Sequence, residues 1–329
     1  MNSTAGRAWL AGLPDSLAAQ RRVMARLLDF CAAAPQVTSF SVGCSLGRGA
    51  ADALSDIDAA LGVASAADVG PVEASLVEAL AGEAQAGEAQ AGEELAADGL
   101  APAAPPDPAT LVDLLRHQSS RDDQVRLIFA QFADRTQLDL AIVPQSGLRL
   151  HARPDFVPLY ARVEAEPGAG PSREAAPSPA ASPGRVPGPP DAGEAASAYA
   201  VTGEQVREWA FHGWIELLDI DKYLRRGSLW EAHERLHQVR HHIWMLWAAA
   251  TGALYPWHGL SQVLDNDARN LPPGIEGTVA GLDSAELRQA ARASATLLAT
   301  VSAAAGREHH PADLPSAMAA YAARELARD

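Results

Sequence analysis

At 329 residues, 48% of them apolar, the chain is long enough for two domains with a core in each. Its formal net charge of −15, with the basic residues scattered, argues against a polynucleotide backbone as partner. No apolar run reaches the length that spans a bilayer, the start MNSTAGRAWLAG lacks the charged-then-apolar build of a leader, and Cys31 and Cys44 make no disulfide or zinc framework, so the expected location is cytoplasmic with no membrane partner.

The first predicted element is a helix over 13–33, where Leu17, Val23, Leu27, Leu28 and Cys31 fall at helical spacing and Pro35 limits the extension. A β-rich run over 37–42 is the first strand. It delivers a loop of small residues, Gly43, Cys44, Ser45, Gly47 and Gly49, whose slender side chains let backbone N–H groups approach a phosphate chain. After a connection over 46–54 with room for a short helical turn, Asp56-Ile57-Asp58 opens a second strand. Alternation places both carboxylates on one face, where they repel unless a cation neutralises them, and oxygen-only ligands suit Mg²⁺. A phosphate cradle ahead of such a pair describes phosphoryl or nucleotidyl transfer.

The run from Cys44 to Asp52 (CSLGRGAAD), followed by Ser55-Asp56-Ile57-Asp58, resembles the signature of the DNA polymerase beta-like nucleotidyltransferase superfamily. Within it the branch most similar is that of the aminoglycoside and lincosamide nucleotidyltransferases. In one departure Cys44 stands where a glycine usually precedes the serine, with Gly43 one place earlier, which leaves two registers for the loop. The resemblance implies that Gly43, Cys44, Ser45, Arg48 and Ser55 contact a nucleoside triphosphate, ATP being the expected one. It also implies that Asp56 and Asp58 hold Mg²⁺ and that a third acid stands on a later strand.

A helix is expected over 71–80. AGEAQ then occurs twice in succession, and 81–108 reads as a low-complexity insertion, with a surface helix as far as 97 as the alternative. Another helix is expected near 108–117. Strands over 124–132 and 136–143 flank Ala133-Asp134-Arg135 and form a hairpin. Asp139 is a lone carboxylate in an apolar strand, costly to bury without a partner. It matches the third acid that the resemblance implies, and with Asp56 and Asp58 would make a set for two Mg²⁺ ions.

The stretch 152–163 reads as neither helix nor strand. A Pro-, Ala-, Gly- and Ser-rich segment over 164–198 is a linker between a catalytic domain, 1–163, and a helical domain, 199–329. There Thr202 and Gln205 form a capping box that opens a helix to 225, with a stripe of Val206, Ala210, Gly213, Leu217, Ile220 and Leu224. Ser228 caps a second helix whose stripe, Leu229, Ala232, Leu236, Val239, Ile243, Leu246 and Ala250, is closed by Gly252. Two such stripes make an antiparallel pair. Further helices are expected over 259–264, 284–304 and 312–327.

On the helix that opens at Thr202, His212, Glu216, Asp219 and Tyr223 form a second stripe, beside Lys222, the one lysine among 26 basic residues. In the antibiotic-modifying relatives the helical domain supplies acceptor contacts. By that resemblance Glu216 is the candidate base, Asp219 holds the acceptor's ammonium groups, and Lys222 faces the phosphates. His233-Glu234-Arg235-Leu236-His237 also fits the HExxH pattern of zinc peptidases, but Ile243 stands where a third histidine would extend it, and a polar helix face is the preferred reading.

The expected fold class is α+β, a mixed sheet with flanking helices followed by an all-α bundle. The expected function is Mg²⁺-dependent transfer of a nucleoside monophosphate, AMP from ATP, to a hydroxyl of a small aminoglycoside- or lincosamide-like acceptor, with a second copy of the chain as a candidate partner. The alternatives are a protein- or RNA-modifying transferase of toxin-antitoxin type, a non-catalytic nucleotide-binding module, and the zinc peptidase.

Overall fold

The computed structural model describes residues 3–94, 110–119, 122–146, 155–162, 200–265 and 270–328, with the backbone alone at 3 and 83–94. The chain divides into two compact units, 1–165 and 166–329, and is α+β: a mixed sheet with helices in the first unit, helices alone in the second. The expected linker over 164–198 lies outside the described residues. Among the described residues no helix is long and apolar enough to cross a membrane.

The first unit begins with α1 (Ser3–Ala11), which the sequence reading missed. Pro14 is extended (ψ 155°) and caps a short 3₁₀ turn, Asp15–Leu17, so α2 (Ala18–Ala33) starts later than expected. Then come β1 (Val37–Val42), α3 (Cys44–Gly47), β2 (Ile57–Val63) and α4 (Val69–Glu94). The last runs through both AGEAQ copies, as the helix propensity of Ala, Glu and Gln favours; 95–109 lie outside the described residues.

The next element corrects the sequence reading. Where a helix was expected near 108–117, the chain forms β3 (Leu111–Gln118), paired antiparallel with β4 (Arg126–Phe132). Leu, Arg and Gln favour a helix locally, but an edge strand gains a full ladder of bonds from its neighbour, and pairing overrides propensity. β5 (Gln137–Pro144) completes the expected hairpin, with Arg135 left-handed in its turn (φ 74°). β6 (Val157–Ala161), in a stretch left unassigned from sequence, pairs antiparallel with β1.

The sheet order is β3-β4-β5-β2-β1-β6, and β2 against β5 is its parallel pair. One face of these two central strands is apolar and buried: Ile57, Leu61, Val63, Leu138, Leu140 and Ile142 join the core with Met24, Leu27 and Leu28 of α2 and Leu76 of α4, while Asp58 and Asp139 stand on the other face. Carboxylates placed there therefore stand on a rigid platform.

The second unit contains α5 (Gly203–Arg225), α6 (Leu229–Ala250), α7 (Leu260–Leu264), α8 (Ser284–His309) and α9 (Ser316–Ala327). The capping box forms as expected: Thr202 Oγ1 accepts from the Gln205 N–H (3.2 Å), and Gln205 Oε1 from the Thr202 N–H (3.0 Å). Ser228 holds the N-cap position of α6, but its side chain makes no capping bond. The α5 stripe is buried from Val206 to Leu224, and in α6 Ala232, Leu236, Val239, Ile243 and Leu246 are fully buried. α8 packs on both helices and continues to His309, beyond the expected end at 304.

Candidate active site

Strand β1 hands the chain to α3 through Gly43. Its backbone is extended (φ −130°, ψ −159°), and its N–H donates to the carbonyl of Asp58 (2.9 Å), stitching the small-residue loop to the strand that carries the acids. Cys44 follows in the left-handed region, φ 51°. A side chain there clashes with its own backbone, so glycine is the residue that suits it. Cys44 therefore holds a backbone conformation that a glycine would adopt without strain.

The loop is closely covered by residues 155 and 156. A Cβ on Gly43 would lie 2.2 Å from the Phe156 ring, and one on Gly47 would lie 1.9 Å from the Asp155 carbonyl oxygen. Arg48, one of the expected nucleotide contacts, donates to Asp155 Oδ2 (2.9 Å) from an exposed position. Nothing in the sequence marked Asp155 or Phe156, because only the folding of β6 against β1 brings them to the loop.

Asp58 and Asp139 are Cα partners in the parallel β2–β5 pair, so their side chains leave the same face of adjacent strands, about 4.8 Å apart. Asp56 lies one residue before β2, between buried Ser55 and fully buried Ile57. All three aspartates are half-buried. Among the described residues they form no cluster with every ligand atom within 4.8 Å, in keeping with the repulsion between like carboxylates. Their chemistry is nonetheless uniform: three hard carboxylate donors suit Mg²⁺ or Mn²⁺ rather than an ion that seeks thiolate or imidazole.

The approach to Asp56 is tightly bonded. Ser55 Oγ donates to Asp52 Oδ1 (3.0 Å) and accepts from the Asp52 N–H (3.0 Å), while the Leu54 N–H donates to Asp52 Oδ1 (3.0 Å). Ser55, expected as a nucleotide contact, is 6% exposed, and its hydroxyl is engaged in this turn.

The second unit holds a separate polar network. Arg235 donates to both oxygens of Glu216 (3.1 and 2.9 Å) and lies 3.7 Å from Asp219, while Lys222 Nζ lies 2.7 Å from Asp219. Lys222, Arg226 and Arg235 all lie over the Tyr223 ring. Asp219 and Lys222 are 7% and 8% exposed, while His212, Glu216 and Tyr223 are half-buried, so this stripe is partly withdrawn from solvent. Burial raises the Glu216 carboxyl above its ordinary value even though Arg235 pulls it down. Burial pulls Arg235 down in turn, but the carboxylates of Glu216 and Asp219 leave it raised overall.

Beside this network the His212 and His242 rings stack, 6.0 Å between centroids and 16° from parallel. Burial, and then the neighbouring His212 and His241, push His242 down to about 3. In the HExxH segment Glu234 is exposed and accepts from Gln238 (2.9 Å), and among the described residues neither His233 nor His237 belongs to a metal-sized cluster.

No family model and no curated protein matches the chain. Among solved structures it is similar to an aminoglycoside 6-adenyltransferase from Bacillus subtilis, at 12% identity and a TM-score of 0.31, over 93% of this chain and 97% of that one.

Proposed function

We propose that the protein is a nucleotidyltransferase that moves a nucleoside monophosphate, AMP from ATP, to a hydroxyl of a small cationic acceptor of the aminoglycoside or lincosamide kind. The observation that carries the reading is the register of Asp58 with Asp139 on adjacent strands, joined by the Gly43 N–H to the small-residue loop. Asp56, Asp58 and Asp139 would hold Mg²⁺, which when bound neutralises charge on the triphosphate and lowers the pKa of an attacking hydroxyl.

The chain's own part is positioning. Gly43 and Gly47 let the loop lie flat beneath residues 155 and 156, and the backbone turn from Cys44 through Gly47, with half-buried Ser45 in it, would meet a phosphate chain. In the helical unit Asp219 would bind the ammonium groups of the acceptor in place of Lys222, leaving Glu216 as the base. A carboxyl raised by burial, such as Glu216, suits the task of taking a proton near neutral pH. Lys222 would reach phosphate only by leaving Asp219.

The test is incubation with α-³²P-labelled nucleoside triphosphates, Mg²⁺ and a panel of aminoglycosides and lincosamides. Label should pass to an acceptor with release of one pyrophosphate per transfer. Label passing to protein or RNA instead would favour the toxin-antitoxin alternative, and hydrolysis or no turnover with every nucleotide would contradict the proposal.

A further inference from the structure

One residue in the core of the first unit is chemically out of place. The buried stripe of α2 runs on from its N-cap Leu17 through Met24, Leu27 and Cys31, and the position between the first two is Gln20, itself only 1% exposed. A buried primary amide is costly unless its bonds are made. The Gln20 Nε2 donates to the carbonyls of Ser55 (2.9 Å) and Ala53 (3.2 Å). Its Oε1 is buried and has no hydrogen-bond partner among the described residues. An apolar side chain here would remove that unsatisfied acceptor, so the amide is not placed for packing alone; what it does is grip the chain just ahead of Asp56.

The gripped carbonyl belongs to the peptide that joins Ser55 to Asp56. Fixing that plane fixes the direction in which Asp56 enters the site. From the other side Ile57 is fully buried, and the Asp52–Ser55 turn restrains the approach. We propose that Gln20 is a positioning residue for Asp56: from the core it orients the Ser55–Asp56 peptide so that this carboxylate can share a divalent cation with Asp58 and Asp139. The inference rests on the reading of Asp56 as a metal ligand. Misplacing such a group by about 1 Å costs on the order of 100-fold in rate, so an anchor at this peptide has functional consequence.

The test is a titration of Mn²⁺ in the presence of α,β-methylene ATP, read by the enhancement of water-proton relaxation over a protein-free control holding the same Mn²⁺ and nucleotide. Wild type is compared with Gln20→Met and Leu27→Ala, each well below its melting temperature. Gln20→Met keeps the volume but cannot donate; Leu27→Ala hollows the same stripe without touching the chain at 53–55. Gln20→Asn, a smaller change that withdraws the amide from reach, covers the case in which Gln20→Met does not fold. The expected result is Mn²⁺ affinity about ten-fold weaker in the Gln20 variants and unchanged in Leu27→Ala, with faster amide exchange at Ser55 and Asp56 in the Gln20 variants alone. Equal affinity in wild type and the Gln20 variants, or an equal loss in Leu27→Ala, would overturn the inference and leave the metal reading intact. No Mn²⁺ uptake by wild type would overturn both.

Discussion

The His212–His242 stack shows how single residues set the behaviour of the helical unit. His242 is held neutral in the folded state at about 3, against an ordinary 6.5. A base lowered on folding contributes stability that is present above its unfolded value and is lost as pH falls from about 6.5 toward 3. Glu216 acts in the opposite sense: a raised carboxyl favours the folded state at low pH and ceases to do so as pH rises through its folded value. Between pH 6.5 and 4.5 the two act against each other, and the histidine's own share is a loss on the order of 2 kcal/mol. Trp209, Trp214, Trp230, Trp244, Trp247 and Trp257 lie in this unit, against Trp9 alone in the other, so intrinsic fluorescence reports its unfolding. His242→Leu should flatten the decline in midpoint over that range; a slope equal to wild type would assign the pH dependence elsewhere.

At the scale of elements, what could be read in the sequence depended on where the stabilising partner lies. β1, the β4–β5 hairpin and the stripes of α5 and α6 carry their own periodicity, because one face of each is buried all along its length. The two edge strands do not. β3 is written in good helix formers and becomes a strand only through β4, while β6 is short and includes exposed Pro158, which an edge tolerates. Gln20 was hidden for a related reason: a polar residue within a helical stripe is a meaningful exception only once its partner, 35 residues away, is known. In the same way Asp56, Asp58 and Asp139 stood out as acids among apolar residues, whereas the pairing of Glu216 with Arg235 needed two packed helices to be seen.

The small-residue loop allows a prediction at this scale. Gly47→Ala would drive a Cβ into the backbone oxygen of Asp155, which cannot turn aside, whereas Gly43→Ala meets the Phe156 ring, which can rotate. Gly47→Ala should therefore lower stability by roughly 1–3 kcal/mol, as overpacking does, and raise the KM for the triphosphate more than Gly43→Ala does. Thermal melts and nucleotide titrations of the two variants side by side check the order; a milder effect at Gly47 would contradict it.

For the molecule as a whole, a net charge of −15 would oppose a polynucleotide backbone and favour a cationic small molecule on electrostatic grounds alone. The catalytic reading stands on three aspartates and a loop, all within the first unit, while acceptor choice is proposed for the second. The most direct measurement is calorimetric titration of ATP into the intact protein with and without Mg²⁺, for wild type and Asp139→Asn. Asparagine keeps the size of the side chain and removes the charge that would hold the cation. Wild type should bind ATP at least ten-fold more tightly with Mg²⁺ than without, and Asp139→Asn should lose that dependence while retaining the wild-type melting temperature within a few degrees. ATP binding that is indifferent to Mg²⁺ in wild type, or equally Mg²⁺-dependent in Asp139→Asn, would contradict the assignment of this sheet face as a nucleotidyltransferase centre.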